Sequence, residues 1–539
     1  MKKNILLILF CGCLAFISSC TNGFDEMNKT ATGITKSQLV PNSLLARSMW
    51  KGVSADYQRN YNLYDDLYAH YFADGTTWWV TDNFEYRDDW AKCGWEAFYT
   101  ERQKEFVDVA DICGTKEIYT NMKAINDIWN IVLWLRMTDR WGDVPYKDAN
   151  GNYVTVSKSA IPFNAQKDIY LDMLSRLDKD ATSMTSASGQ YDPGADDLVY
   201  GGNANIAKWK KFANSLMLRL AIRIANVDAT DAKTYAAKAI SGGVMDSNAD
   251  NAKIQCDDKH WNDYYGRIVY DWRQGSVAAD FMDFMTGVKT NYATGVQDPR
   301  CPLWFSPGTK GYVGVPSGLN TSDAFFKTFL YKDYAEINIR NTNGFFYTDR
   351  SDLSKSHLAY PVMDYSEVCF LKAEAALRGY IAGDAETFYS DGIKASISYV
   401  ASASGVSVTD NQINTYIAAL PSYSSASTNE AKLRLICMQE YIALFPNSQE
   451  AWSLVRRTGY PDNLTYPQSI SGSALVANGN WIQRLSYPNS EYANDADNIP
   501  ADYKSGATKY DKRQQYGVWW SLAGDGKTYA KGTTPANNF

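Results

Sequence analysis

A chain of 539 residues, 45% of them hydrophobic, is long enough to bury a large core and excludes the small disulfide-stapled and low-complexity classes. The formal charge of −7 has no basic run set against it, which leaves no case from charge for nucleic acid or anionic lipid as a partner. The only histidines, His70, His260 and His357, stand far apart and without an HExxH pattern, which argues against histidine-based metal catalysis.

The first element is a leader. Lys2 and Lys3 precede an apolar run from Ile5 to Ile17, then Ser18, Ser19 and Cys20. A basic start, a short hydrophobic stretch and small residues before a cleavage point describe a secretory signal peptide, too short to span a bilayer. The series Ile17-Ser18-Ser19-Cys20 resembles the bacterial lipobox, in which the cysteine is acylated and becomes the first residue of the mature protein. Residues 1–19 are therefore expected to be removed and Cys20 to be the lipidation site; ordinary cleavage beside a bystander cysteine is the alternative. Cleavage takes away two lysines and moves the formal charge from −7 to about −9. No later apolar stretch, Ile128 to Leu135 included, approaches the roughly 20 residues of a spanning helix.

Residues 20–40 are polar and aperiodic and read as a tether. Apolar residues then recur at helical spacing from Ser43 to Phe72. Thr120 is placed to cap a helix with Ile125, Ile128, Trp129 and Val132 on one face. Over 206–224, Ile206, Trp209, Phe212, Ala213, Leu216, Leu220, Ala221 and Ile224 form one stripe, the pattern of an amphipathic helix backed onto a core. A further helix over 366–378 stops at Gly379, and 430–445 with 449–457 form a hairpin punctuated by Pro446, Gly459 and Pro461. No fixed 34-residue period is present, so any repeat is degenerate.

Residues 245–350 and 460–539 are instead dense in Gly, Pro, Asn, Asp and aromatics, and read as long structured loops over a helical base, where function is usually carried. No linker divides the chain, so 41–539 is expected to form one composite domain. Cys93, Cys113, Cys256, Cys301, Cys369 and Cys437 show no metal spacing, and no disulfide pair is selected; Cys369 and Cys437 fall among apolar helical positions as buried thiols.

The acidic pairs Asp65-Asp66, Asp88-Asp89, Asp196-Asp197 and Asp257-Asp258 read as solvated turns, since a glycosidase pair must face across a cleft. Asn494 to Asn498 offers oxygen ligands but lacks an EF-hand's spacing and glycine, and reads as a turn. Phosphate-loop, nucleophile-elbow and dinucleotide signatures are absent, so no catalytic residue, metal or cofactor is assigned. Aromatics are abundant, with 16 Trp, 38 Tyr and 21 Phe. Two clusters sit in loops: Gly75 to Asn83, with Trp78 and Trp79 adjacent, and Tyr264-Tyr265 through Tyr270, Trp272 and Arg273. Flat rings stack on the apolar face of a pyranose while amide, carboxylate and guanidinium groups bind its hydroxyls. The candidate ligand residues are therefore Trp78, Trp79, Asn83, Tyr270, Trp272 and Arg273, with Trp304, Tyr331, Trp519 and Trp520 next in line. The same rings would serve equally to pack loop against core.

The chain resembles the SusD/RagB family of Bacteroidetes surface lipoproteins, in its SusD-like branch. The likeness is carried by the lipobox at Cys20 and by DIWNIVLWLRMTDRWGDVPYKDA (127–149), DDLVYGGNANIAKWKKFANSLMLRLAIRI (196–224), DPRCPLWF (298–305), SEVCFLKAEAALRGY (366–380) and QEAWSLVRRTGYP (449–461). It implies a mainly α fold, a scaffold of degenerate tetratricopeptide-like helix pairs overlaid by an irregular loop-rich, ligand-binding portion. It also implies an anchored outer-membrane protein facing the exterior, which binds oligosaccharides without cleaving them and hands them to a SusC-like TonB-dependent transporter. The alternatives are a peptide-binding member of the same family and an all-helical surface glycoside hydrolase. The shared blocks are mostly scaffold, so the resemblance assigns no ligand residue.

Overall fold

The computed structural model describes residues 40–54, 57–77, 80–155, 161–266, 272, 276–339, 342–347, 356–500 and 513–539. Cys20 and the tether lie outside them, as do Trp78, Trp79, Tyr270 and Arg273.

Helix α1 (Pro41–Ser54) buries Leu45, Met49 and Val53 at four-residue spacing. It is followed by α2 (Asp88–Ala97), α3 (Gln103–Cys113), α4 (Thr120–Trp141), α5 (Gln166–Ser183), α6 (Ile206–Arg223) and α7 (Ala229–Gly242). After a loop-rich stretch holding α8 (Ala279–Thr286) and α9 (Ala324–Thr328), the helical series resumes. It runs through α10 (Tyr365–Leu377), α11 (Ala385–Ala403), α12 (Asp410–Ala419), α13 (Asn429–Ala443) and α14 (Ser448–Thr458). Neighbours in sequence are neighbours in space: α4 packs on α5, α5 on α6, α6 on α7, α10 on α11 and α13 on α14. The expected stripe is real, since Trp209, Phe212, Leu216 and Leu220 on α6 are all 0% exposed.

Side chains start several of these helices. Asp228, Asp384 and Thr428 accept bonds from N–H groups of the first turns of α7, α11 and α13, and Thr409 with Gln412 completes a capping box on α12. Thr120 departs from expectation: it is the first helical residue of α4 and its hydroxyl donates backwards to the Glu117 carbonyl, 2.7 Å away. The helical run expected from Ser43 to Phe72 is also broken, because Asp65 and Asp66 need partners that a surface helix would not supply. Both lie in a short buried helix, Asp65–Tyr68, with Asp65 3.1 Å from Arg140 Nε and Asp66 accepting from the Tyr264 hydroxyl at 2.6 Å. That pair, with buried Asp197 bound by the Trp209 indole, therefore departs from the solvated turns that the sequence suggested.

Buried ion pairs join distant helices. Arg219 of α6 holds Glu367 of α10 at 2.5 and 2.6 Å, Arg223 holds Glu450 of α14, and Glu374 of α10 takes Arg457 at 2.7 Å and Arg378 at 2.8 Å. Pairing and hydrogen bonding offset the cost of burying these charges. The six cysteines after Cys20 are free thiols, with Cys369 and Cys437 buried.

Short antiparallel ladders organise the loops: β1 (Phe72–Ala73) with β3 (Ser276–Val277), β2 (Ala252–Ile254) with β6 (Tyr360–Met363), and β4 (Phe305–Ser306) with β5 (Glu336–Ile337). Most of their apolar residues join the main core, which runs from Leu45 to Trp520.

Candidate functional site

The β1/β3 ladder fixes where the two aromatic loops begin and end. Phe72 pairs with Val277 and Ala73 with Ser276, so the chain leaving β1 towards Trp78 and the chain entering β3 from Trp272 emerge at the same end of the ladder. Trp272 is 49% exposed, in keeping with a ring offered to solvent.

A small apolar cluster apart from the main core brings a third segment to this place. Ala73, Ala278 and Val315 are buried together, with Phe325, Phe329 and Tyr334 packed on them. The approach demands small residues. Gly314 lies against the backbone of Ala278, and a methyl group on Gly75 would overlap the Phe329 ring. Helix α9, begun by Asp323 accepting from the Phe325 N–H at 2.8 Å, presents the rings.

The result is a half-buried aromatic rim. Phe329 stacks on Tyr334 at 5.4 Å and 29°, Phe325 lies 5.4 Å from Phe329, and Tyr331 stands edge-on to Phe329 at 4.7 Å. Lys310 Nζ sits 4.6 Å over Tyr334, and Leu330 beside it is 52% exposed. Sequence reasoning pointed to Tyr331 and missed its neighbours. The signal was available: Phe325, Phe326, Phe329, Tyr331 and Tyr334 crowd a turn-rich segment with no helical period long enough to bury them.

Both ends of the Gly75–Asn83 loop are held. Asp74 accepts from the Thr76 N–H at 2.7 Å and from its hydroxyl at 2.8 Å. At the far end, Thr81 donates to the Leu63 carbonyl at 2.5 Å, and the Asp82 carboxylate accepts from the Gly318 N–H at 3.0 Å. Burial pushes the Asp82 carboxyl up to about 7. Asn83, expected to offer its amide to a ligand, is 4% exposed, and its carbonyl accepts from the Ser471 N–H at 3.0 Å. The backbone ties the loop to the segment beneath it, while the enclosed side chain, its oxygen without a partner, presents nothing outward.

Other aromatic expectations resolve as core. Tyr264 and Tyr265 are 1% and 2% exposed, Trp304 and Trp520 are 0%, and the Trp520 indole donates to Asp139 at 3.0 Å. Trp519 is half-buried against Tyr170. Among the described residues, Glu374, Cys437 and Glu440 stand close enough to share an ion. The arrangement does not suit a metal: Arg457 and Arg378 occupy Glu374, and burial raises Glu440 to about 8 and the Cys437 thiol well above its usual value.

Residues 25–521 match the SusD-like family, described as SusD and RagB outer membrane lipoprotein. The chain belongs to the SusD-like family. Solved structures carry the same fold. One named a chitin-binding protein is 26% identical with a TM-score of 0.73, the match covering 90% of this chain and 100% of its own. A SusD homologue from Bacteroides uniformis is 25% identical, with a TM-score of 0.71 and 89% and 98% covered. Another from Parabacteroides distasonis is 24% identical, with a TM-score of 0.72 and 92% and 100% covered. No curated protein matches the sequence. The SusD-like fold, a mainly helical scaffold with tetratricopeptide-like pairs under irregular loops, is thereby established, and the family ties the chain to the outer membrane. No described helix is long and apolar enough to cross a membrane.

Proposed function

We propose that this SusD-like protein is an outer-membrane lipoprotein, anchored through Cys20 and facing the exterior, that captures oligosaccharides without cleaving them and delivers them to a SusC-like TonB-dependent transporter. Residues 1–19 are its leader, 20–40 its tether and 41–539 its single domain. The ligand lies across the rim formed by Trp272, Phe329, Tyr331 and Tyr334, joined by Trp78, Trp79, Tyr270 and Arg273 from the loops that flank the β1/β3 ladder.

The observation that carries this reading is the rim itself. Half-buried rings standing side by side, together with the solvent-facing Trp272 on the segment that leads into β3, match the repeating apolar faces of a sugar chain. The solved relative named a chitin-binding protein supports a glycan as ligand. Peptide capture would call for an open strand edge or a charged clamp, and β1 and β3, the ladder at the rim, are only two residues long.

The test is a panel of defined oligosaccharides, run beside a peptide library on the purified full-length protein, with product release followed over hours. Saturable glycan binding with every ligand recovered intact is expected. Binding to peptides alone overturns the ligand class; sustained release of shorter sugars, lost on mutating one carboxylate, overturns the non-catalytic reading in favour of a glycosidase.

A further inference from the structure

Apart from the rim, a cavity of about 240 Å³ opens between the β2/β6 ladder, α11 and the turn that follows α13. In the ladder Lys253 stands opposite Pro361, and Asp364 follows three residues later, about 10 Å further along the extended chain. The side chains of Lys253 and Asp364 both line the cavity, and Tyr399 of α11 lines it beside them. Phe345, 6.0 Å from the Tyr399 ring, and Phe445 supply apolar wall.

The polar groups of these three residues are uncommitted and within a ligand's reach. Among the described residues, the Asp364 carboxylate, the Lys253 ammonium and the Tyr399 hydroxyl form no hydrogen bond or ion pair with the protein, and none is sealed from solvent, since all three side chains are half-buried. Asp364 is the residue before α10, the position from which an aspartate usually accepts a bond from the first helical turn, and it makes no such bond. Lys253 holds its Nζ 5.6 Å from the centre of the Tyr399 ring. A carboxylate and an ammonium therefore face one cavity without pairing, although half-buried charges are costly to leave so. Burial and Glu367 push the Asp364 carboxyl up to about 7, against the pull of Lys253 and Arg219. A positive group brought beside it would favour its ionised form.

We propose that this cavity is a second binding site, separate from the rim, which takes one free α-amino acid with an apolar side chain. The ligand's ammonium meets Asp364, its carboxylate meets Lys253 and the Tyr399 hydroxyl, and its side chain lies on Phe345 and Phe445. Opposite charges held apart on one wall match a ligand that carries both, whereas a neutral sugar would leave each without a counter-charge. The volume lies below the range for drug-sized ligands, about 300–1,000 Å³, so it suits a single amino acid and excludes a chain.

The proposal rests on the cavity's own lining and does not depend on the rim, which an oligosaccharide titration in parallel reads separately. Its test is calorimetric titration of the full-length protein at pH 8 with phenylalanine, leucine, phenethylamine, which lacks the carboxylate, 3-phenylpropionate, which lacks the ammonium, and glucose. At least one amino acid is expected to bind, about tenfold or more tighter than either singly charged probe and than glucose, a comparison that needs no variant. Asp364→Asn and Lys253→Met should each weaken that binding by about tenfold or more. Between pH 6 and pH 8 the parent's affinity should rise roughly tenfold as Asp364 ionises, and that of Asp364→Asn should stay flat. The other groups about this carboxyl, Glu367 of α10, Lys253 of β2, Arg219 of α6, Tyr399 of α11 and the cavity-lining His357, all remain in that variant, so a pH response that persisted there would belong to them and count against the assignment. A singly charged probe or glucose binding as tightly as the amino acids, no binding of either amino acid, or amino acid affinity unchanged in both variants would overturn it.

Discussion

Asp82 ties the Gly75–Asn83 loop to the loop that holds Gly318. Its carboxylate bonds the Gly318 N–H from one loop while it ends the loop that carries Trp78 and Trp79. Burial lifts its pKa to about 7; Asp74 adds to the rise, while the Gly318 bond and His70 work against it. The folded value lies above the unfolded value of about 3.9, so the stability contributed by the protonated form is full below about pH 4 and is lost as pH rises towards 7. Asp82→Asn keeps an acceptor for Gly318 and removes the buried charge. Thermal unfolding across pH should show the variant more stable than the parent by roughly 4 kcal/mol at pH 8, the gap closing near pH 4. A gap independent of pH would contradict this role. None of it was legible in the sequence, where Asp82 reads as one more polar loop residue. Nor was Arg219 with Glu367: the partners lie 148 residues apart, and only the fold brings them together. The exposure of Trp272 does agree with the sequence reading, because a tryptophan among Asp, Arg, Gly and Ser has little apolar company along the chain.

Among elements, legibility followed periodicity. Helix α6 carries a single unbroken stripe, and α10, α13 and α14 end at Gly379, Pro446 and Gly459, which gives sharp punctuation. The region from α1 to β1 misled because buried polar residues, Asp65, Asp66 and His70, interrupt an apolar pattern that continues through them. The rim could not be read as an element at all, since its strands are two residues long and are defined by pairing between positions 72 and 277 and between 305 and 337. Its tightness is testable through Gly75, whose Cα faces the Phe329 ring. Gly75→Ala should cost about 1–3 kcal/mol by overpacking, and Phe329→Leu in the same chain should restore part of that loss. Additive destabilisation by the two substitutions would show that they do not share a contact.

For the whole molecule, one core spanning α1 to Trp520 makes the scaffold a rigid base, and under the proposed function such a base would preorganise the rim for a sugar chain. Blocks of the SusD-like family were legible from end to end because they are scaffold, whereas the loops proposed to carry the ligand lie outside the quoted blocks. The proposed anchor is the lipid on Cys20, and it is open to a direct test. Cys20→Ala should release the protein from membrane fractions and abolish its cleavage by protease on intact cells; retention on both counts would contradict the anchor. The central claim, that the aromatic rim is the glycan site, is tested most directly by titrating one bound oligosaccharide into the parent, Trp272→Ala and Trp78→Ala proteins and recording the melting temperature of the same samples. The account predicts a loss on the order of 1–3 kcal/mol in binding, by analogy with bases stacked on aromatic side chains, with melting temperatures unchanged. Undiminished affinity in folded variants, or a drop of several degrees in melting temperature such as a core tryptophan would give, would contradict it.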